Sequence, residues 1–105
     1  MVQVPAFVIE EIKKFIQEAL KENIHISQAV LFGSYAKGTN HEWSDIDLAV
    51  VSEDFEGVRF NDNVRLGKPR VRTSADLQTH PFRPEDFNTS NPFVAEILEY
   101  GIRVV

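Results

Sequence analysis

Apolar side chains recur at helical spacing over the first part of the chain. Val8, Ile9, Ile12, Phe15, Ile16, Ala19 and Leu20 fall every three to four residues, while Glu10, Glu11, Lys13, Lys14, Gln17, Glu18 and Lys21 fill the other side. This predicts an amphipathic helix from Pro5 to Glu22, with Pro5 in its first turn, where a missing N–H costs nothing, and Asn23 at its end. The mixed signs of the polar face suit packing on a core better than lying on a membrane. The pattern then changes to strands. Ile26 to Phe32 reads as one whose last four residues, Ala29-Val30-Leu31-Phe32, are apolar on both faces. Gly33-Ser34 breaks it, Tyr35-Ala36-Lys37 reads as a short helical turn and Gly38 to Ser44 as loop. Asp45 to Val51 is the second strand.

The second half is patterned more weakly. Phe55 to Leu66 suggests a short helix carrying Val58, Val64 and Leu66, and Gly67-Lys68-Pro69 reads as a turn. From Arg70 to Thr79 the residues alternate: Val71, Thr73, Ala75 and Leu77 on one side, Arg70, Arg72, Ser74 and Asp76 on the other. Such a period of two predicts a third strand with a polar face. His80 to Pro84 reads as an irregular connection and Glu85-Asp86-Phe87 as a single turn. Asn91 is placed to cap a helix with Pro92 at its first position, an inner face of Phe93, Val94, Ile97 and Leu98, and Gly101 as its C-terminal cap. Ile102 to Val105 is a short last strand. The order α-β-β-α-β-α-β predicts an α/β (α+β) fold, a small mixed sheet backed by helices, with residues 1–105 as a single domain.

Charge and composition narrow the ligands. A net charge of −5 argues against gripping an extended nucleic acid, whose affinity comes mainly from Lys and Arg on phosphates. A small nucleotide carried by a divalent cation is compatible, because the cation supplies the positive charge. The absence of cysteine excludes disulfides and thiolate metal sites and fits a reducing cytoplasm, the expected location. No apolar run is long enough to span a bilayer, and the N-terminus lacks a signal-peptide pattern.

Candidate chemistry concentrates between Gly33 and Val51. Glycine lets a backbone approach a phosphate without a Cβ in the way, and Ser34 adds a hydroxyl donor. Alone, Gly-Ser is more often a plain turn. After ten intervening residues, however, Ser34 is followed by Asp45-Ile46-Asp47. Residues two apart on a strand share a face, about 6.5–7 Å apart, so Asp45 and Asp47 point together while Ile46 and Leu48 point into the core. Two carboxylates held side by side repel unless a cation or a proton joins them. Hard cations, Mg²⁺ above all, suit oxygen ligands completed by phosphate. A salt bridge to Arg70 or Arg72 is the structural alternative. Asp76 is the single acid on the third predicted strand, and three carboxylates can hold two Mg²⁺ about 3.5–4 Å apart. Its own alternative is an ion pair with a neighbouring Arg. Glu85 and Asp86, in a loop, are weaker candidates.

The Gly33-Ser34-Tyr35-Ala36-Lys37-Gly38 … Ser44-Asp45-Ile46-Asp47-Leu48 pattern resembles the minimal nucleotidyltransferases of the DNA polymerase β superfamily. The resemblance covers nearly the whole chain. It implies a polymerase-β-like mixed sheet, three metal-binding carboxylates, a triphosphate cradled at the Gly-Ser turn, and transfer of a nucleoside monophosphate to a hydroxyl. On that pattern Gly33 and Ser34 match the phosphate-binding pair, with Lys37 and Ser44 as further nucleotide contacts, and Asp45, Asp47 and Asp76 match the catalytic, metal-holding carboxylates. Lys37 departs from the family, where many relatives carry Arg; it keeps the charge and loses the bidentate fork.

The resemblance also implies a partner. Larger relatives add a helical domain that grips base and acceptor, for which 105 residues leave no place. Minimal members are often encoded beside a small helical HEPN-type protein and act on it as antitoxins, by binding the toxin or by adenylylating a tyrosine. The expectation is therefore Mg²⁺-dependent transfer of AMP from ATP to a hydroxyl of a HEPN-type partner. Stoichiometric binding without catalysis and nucleotidylation of a small molecule are the alternatives, and the oligomeric state is left open. His25, His41 and His80 lie in separate segments without metal-ligand spacing and are expected to be solvated. Tyr35 and Trp43 are placed either to stack on a base or to pack on the first helix. Arg59, Arg65, Lys68, Arg70 and Arg72 form a basic stretch expected near the site strand, facing a triphosphate, an acidic partner or solvent.

Overall fold

In the computed structural model, which describes residues 3–105, the first helix, α1, spans Ala6–Lys21, with Pro5 as its N-cap residue. It buries Val8, Ile12, Phe15 and Ala19, the stripe that the three-to-four spacing marks. Asn23 then takes a left-handed φ of 61°, which reverses the chain into β1 (Gln28–Phe32). A four-residue helix α2 (Ser34–Lys37) and a loop lead to β2 (Ile46–Val51). Helices α3 (Arg59–Arg65) and α4 (Gly67–Thr73) carry the chain across to β3 (Leu77–Phe82). A 3₁₀ turn (Pro84–Asp86), α5 (Pro92–Tyr100) and β4 (Ile102–Arg103) complete the order.

The strands form one mixed sheet in the order β3-β2-β1-β4. β1 pairs antiparallel with β2 and with β4, while β2 and β3 are parallel, a pairing that needs the crossover α3 and α4 supply. On one face, Ala29, Leu31, Ile46, Leu48, Val50 and Leu77 pack with the α1 stripe and with Leu66 as the main core. On the other face, Val30, Ala49 and Ile97 form a smaller core rimmed by Phe32, Phe82, Phe87 and Phe93. That second face is the one on which Asp47 lies.

The structure corrects the reading of Arg70–Thr79. Residues 67–73 are helical, and Gly67-Lys68-Pro69 is the first turn of α4 rather than an isolated turn. Pro69 is tolerated there because a first-turn N–H has no helical partner to lose. The buried positions Leu66 and Pro69 and the half-buried Thr73 follow helical spacing, whereas Val71, an inward residue in a strand, is 87% exposed. Lys68 and Arg72 reach Glu18 on α1 and Glu22 at its C-cap at 3.6–3.8 Å, so these cations serve helix packing on the face away from Asp47. The third strand starts later and runs through His80-Pro81-Phe82, which the sequence suggested was irregular. Proline fits because β3 is an edge strand whose other side has no ladder to supply.

Helix α5 begins as expected, with the Asn91 side chain accepting from the Phe93 N–H at 2.9 Å. Of its expected inner face, Val94 and Ile97 are buried, Phe93 is half-buried and Leu98 is exposed. Its end differs too. Gly101 is extended (φ −70°) rather than left-handed, so it is no glycine cap. Its glycine is required by close packing: a Cβ would overlap the Ile97 carbonyl and lie 2.5 Å from Val30 Cγ1. Gly101→Ala is therefore expected to lower stability by about 1–3 kcal/mol, the range for overpacking, read as a reduced urea midpoint with an unchanged slope.

Candidate active site

The register of the sheet builds the site. Phe32 pairs with Asp47 at the end of β1, so the chain turns at Gly33 directly beside the Asp47 side chain. Gly33 has φ 74° and ψ −151°, a conformation essentially confined to glycine. It is also packed against the acid, since a Cβ at this position would overlap Asp47 Oδ2 and lie 3.2 Å from its Cγ. The Gly33 carbonyl accepts from the Ala36 and Lys37 N–H groups, which winds α2 immediately after the turn. The Gly33 turn and the second aspartate are thus one unit.

Strand parity is as the sequence implies for Ile46, Asp47 and Leu48. Ile46 and Leu48 are buried, Asp47 is half-buried, and Asp45 is exposed one residue before β2 begins. No Lys or Arg among the described residues pairs with Asp45 or Asp47, so the salt-bridge alternative to Arg70 or Arg72 does not hold. Asp76 also precedes its strand. Ile46 pairs with Leu77, and the Ile46 N–H donates to the Asp76 carbonyl at 2.8 Å, which sets Asp76 beside Asp45 at the mouth of the two parallel strands. Its side chain is exposed, and among the described residues no three acidic or histidine groups stand close enough to form a preassembled metal cluster.

A nucleotidyltransferase domain model matches residues 9–103. The chain belongs to the nucleotidyltransferase domain family. It is 29% identical over 98 residues to a provisionally named protein adenylyltransferase of Methanocaldococcus jannaschii, covering 92% of this chain and 95% of that protein. It is 32% identical over 83 residues to a Caenorhabditis elegans U6 snRNA-specific terminal uridylyltransferase, 78% of this chain and 12% of that protein. In fold, it matches a crystal structure of a provisionally named Sulfolobus solfataricus nucleotidyltransferase with a TM-score of 0.66, at 13% identity over 91% of this chain and 78% of that one. A chain of a toxin–antitoxin structure with AMP-PNP matches with a TM-score of 0.59, at 21% identity over 92% and 72%.

In this nucleotidyltransferase the other expected site residues are spread around the Gly33–Asp47 unit. Ser34 opens α2. Lys37 is exposed, lies over the Tyr100 ring at 5.2 Å, and shares with Gly33, Phe93 and Tyr100 a small pocket of about 170 Å³. Ser44 is engaged locally: its hydroxyl accepts from the His41 N–H at 2.8 Å and its own N–H donates to the His41 carbonyl, closing the loop before Asp45. Tyr35 is buried edge-on against Phe7 of α1, while Trp43 is 81% exposed. Asp86 faces Arg83, whose Nε donates to it at 2.8 Å and holds its carboxyl below the usual range, with Glu85 3.8 Å from the same guanidinium. Neither acid is directed at Asp47.

The sequence reading missed one neighbour of Asp47, His80, and gave Arg59 only as part of a basic stretch near the site strand. His80 is not a solvated loop residue but lies on β3, on the Asp47 face, with Nε2 3.6 Å from Asp47 Oδ1. Arg59, at the start of α3, meets His80 Nδ1 at 2.6 Å. A signal was present: Asp76, Gln78 and His80 are spaced by two, so a strand carried past Thr79 puts all three on one face. Beyond His80, between Arg59, Arg83, Asn88 and Phe93, an open cleft of about 590 Å³ continues this face.

Proposed function

We propose that this nucleotidyltransferase moves AMP from ATP to a hydroxyl, with a tyrosine of a HEPN-type helical partner as acceptor, and so acts as an antitoxin. The observation that carries the reading is the seating of the Asp47 carboxylate against Gly33, which joins an acidic pair and a phosphate-type turn in one place. Near-full-length likeness to the M. jannaschii protein supports a protein acceptor. The fold likeness to the toxin–antitoxin structure with AMP-PNP supports a nucleotide and a toxin partner.

The donor set fits hard divalent cations. Asp47 offers carboxylate oxygens from β2 and Asp45 from the residue just before it, no Lys or Arg among the described residues pairs with either, and Asp76 stands at the same strand mouth. These three residues would hold Mg²⁺, two ions at full occupancy, which when bound neutralises charge on the phosphates and on the attacking and leaving oxygens. Gly33 and Ser34 orient the β- and γ-phosphates, with Lys37 adding charge alongside. The acceptor oxygen forms a bond to the α-phosphorus, the α–β bridging P–O bond breaks, and pyrophosphate leaves. The hydroxyl proton passes to an Asp76 carboxylate oxygen.

The test uses ATP labelled at the α-phosphate, Mg²⁺ and a HEPN-type helical protein as the candidate partner. Label is expected on the partner, on a tyrosine, and not when ATP is labelled at the γ-phosphate. Loss of label with Asp45→Asn is the expected control. Neutralisation of the partner by a protein carrying both Asp45→Asn and Asp47→Asn overturns the catalytic reading in favour of stoichiometric binding.

A further inference from the structure

We propose that His80 and Arg59 form a positioning relay behind Asp47, fixing the orientation of its carboxylate for metal and nucleotide. The argument begins with Arg59, whose guanidinium can only donate hydrogen bonds. Its Nη2 lies 2.6 Å from His80 Nδ1; Nδ1 then accepts, which in the neutral ring puts the proton on Nε2. That Nε2 is buried, has no hydrogen-bond partner among the described residues, and stands 3.6 Å from Asp47 Oδ1. At 3.6 Å this N–H stands just beyond bonding distance of the carboxylate oxygen, and a small rotation of the aspartate brings the two within reach.

The ring itself is not free to turn away. It packs edge-on between Phe32, at 4.9 Å, and Phe93, at 5.7 Å. Its backbone is held by the parallel ladder, with Asp47 opposite Gln78 and Ala49 opposite His80. Asp47 is thereby bounded on two sides: Oδ2 lies against the Gly33 backbone and Oδ1 faces the imidazole N–H. A ring present only to fill space among Phe32, Phe82 and Phe93 needs no nitrogen there, and phenylalanine fills it without an unpartnered donor. Nor does a packing role require Arg59 on the far nitrogen. Carboxylates that hold metals are commonly oriented by such hydrogen bonds, and losing the orienting group typically lowers metal affinity or activity about 10–100-fold.

This role rests on the nucleotidyl-transfer reading of Asp47, and the experiment separates the two. Long-range ¹H–¹⁵N spectra of the intact protein without ligand are expected to show His80 protonated on Nε2, and Arg59→Ala to convert it to a mixture of tautomers. Binding of Mn²⁺ with a non-hydrolysable ATP analogue is then titrated. His80→Phe is expected to weaken it about tenfold or more while the melting temperature is kept. His80→Gln, which can present an N–H at a similar reach, is expected to recover at least half of that loss on a logarithmic scale. His80→Phe with native Mn²⁺ affinity, or a native His80 protonated on Nδ1, overturns the relay and leaves the transfer reading standing. A native protein that binds no Mn²⁺ with the analogue overturns the transfer reading, and the relay with it.

Discussion

Asp47→Asn is expected to reduce AMP transfer by at least about 10³-fold while leaving the protein folded. The substitution keeps the shape of the side chain and removes its charge. Electrostatic stabilisation of a phosphoryl-type transition state through a carboxylate-held cation is worth several kcal/mol, and about 4 kcal/mol corresponds to three decades in rate. The fold has little stake in that charge. Asp47 is partly exposed, its side chain at 31%, and it has no Lys or Arg partner among the described residues. Neutralising it also relieves repulsion from Asp45, two residues away. Initial rates with α-labelled ATP and a thermal melt check both halves: a rate within tenfold of the native protein removes Asp47 from the chemistry, and a melting temperature lowered by more than a few degrees shows that the charge supports the fold.

Gly33→Ala is expected to damage both stability and activity, through two separable effects. The backbone at Gly33, with φ 74° and ψ −151°, lies where an L side chain costs about 1–3 kcal/mol. The new methyl also meets the Asp47 carboxylate and must push it aside. A misplacement of about 1 Å at a reacting centre can cost about 10²-fold in rate. The expected result is a protein whose denaturation midpoint falls and whose remaining folded fraction transfers AMP about 10²-fold more slowly. Combining the change with Asp47→Asn separates the effects. If the methyl acts on rate through Asp47, the double variant is no slower than Asp47→Asn alone, whereas the stability loss from backbone strain persists. A double variant that is slower by the full product of the two effects places the action of Gly33 on the phosphates rather than on Asp47.

Much of the architecture was legible because burial and periodicity agree along α1, β1 and β2. The α1 stripe is long enough for a helical period to be unmistakable, and Asp-Ile-Asp-Leu has a parity that burial of Ile46 and Leu48 bears out. Between Arg70 and Phe82 the local signals conflicted. A few residues alternating β-branched and charged side chains imitate a strand, yet α4 gains from burial of Leu66 and Pro69 and from Arg72 and Lys68 facing α1 acids, none of which is local. Pro81 was the opposite case, since proline argues against a strand until the strand is known to be an edge.

By itself the sequence determined the unit from Gly33 to Asp47. A glycine turn and a two-residue acidic spacing are properties of adjacent residues and can be read without any tertiary contact. What the tertiary structure decided is everything that reaches this unit from elsewhere. The pairing of Phe32 with Asp47 presses Gly33 onto the carboxylate, and the parallel ladder brings Asp76 to the strand mouth. The late start of β3 turns His80 from a presumed loop residue into the neighbour of Asp47, with Arg59 behind it. Those relations depend on register between strands distant in sequence, which side-chain burial sets only once the sheet has formed.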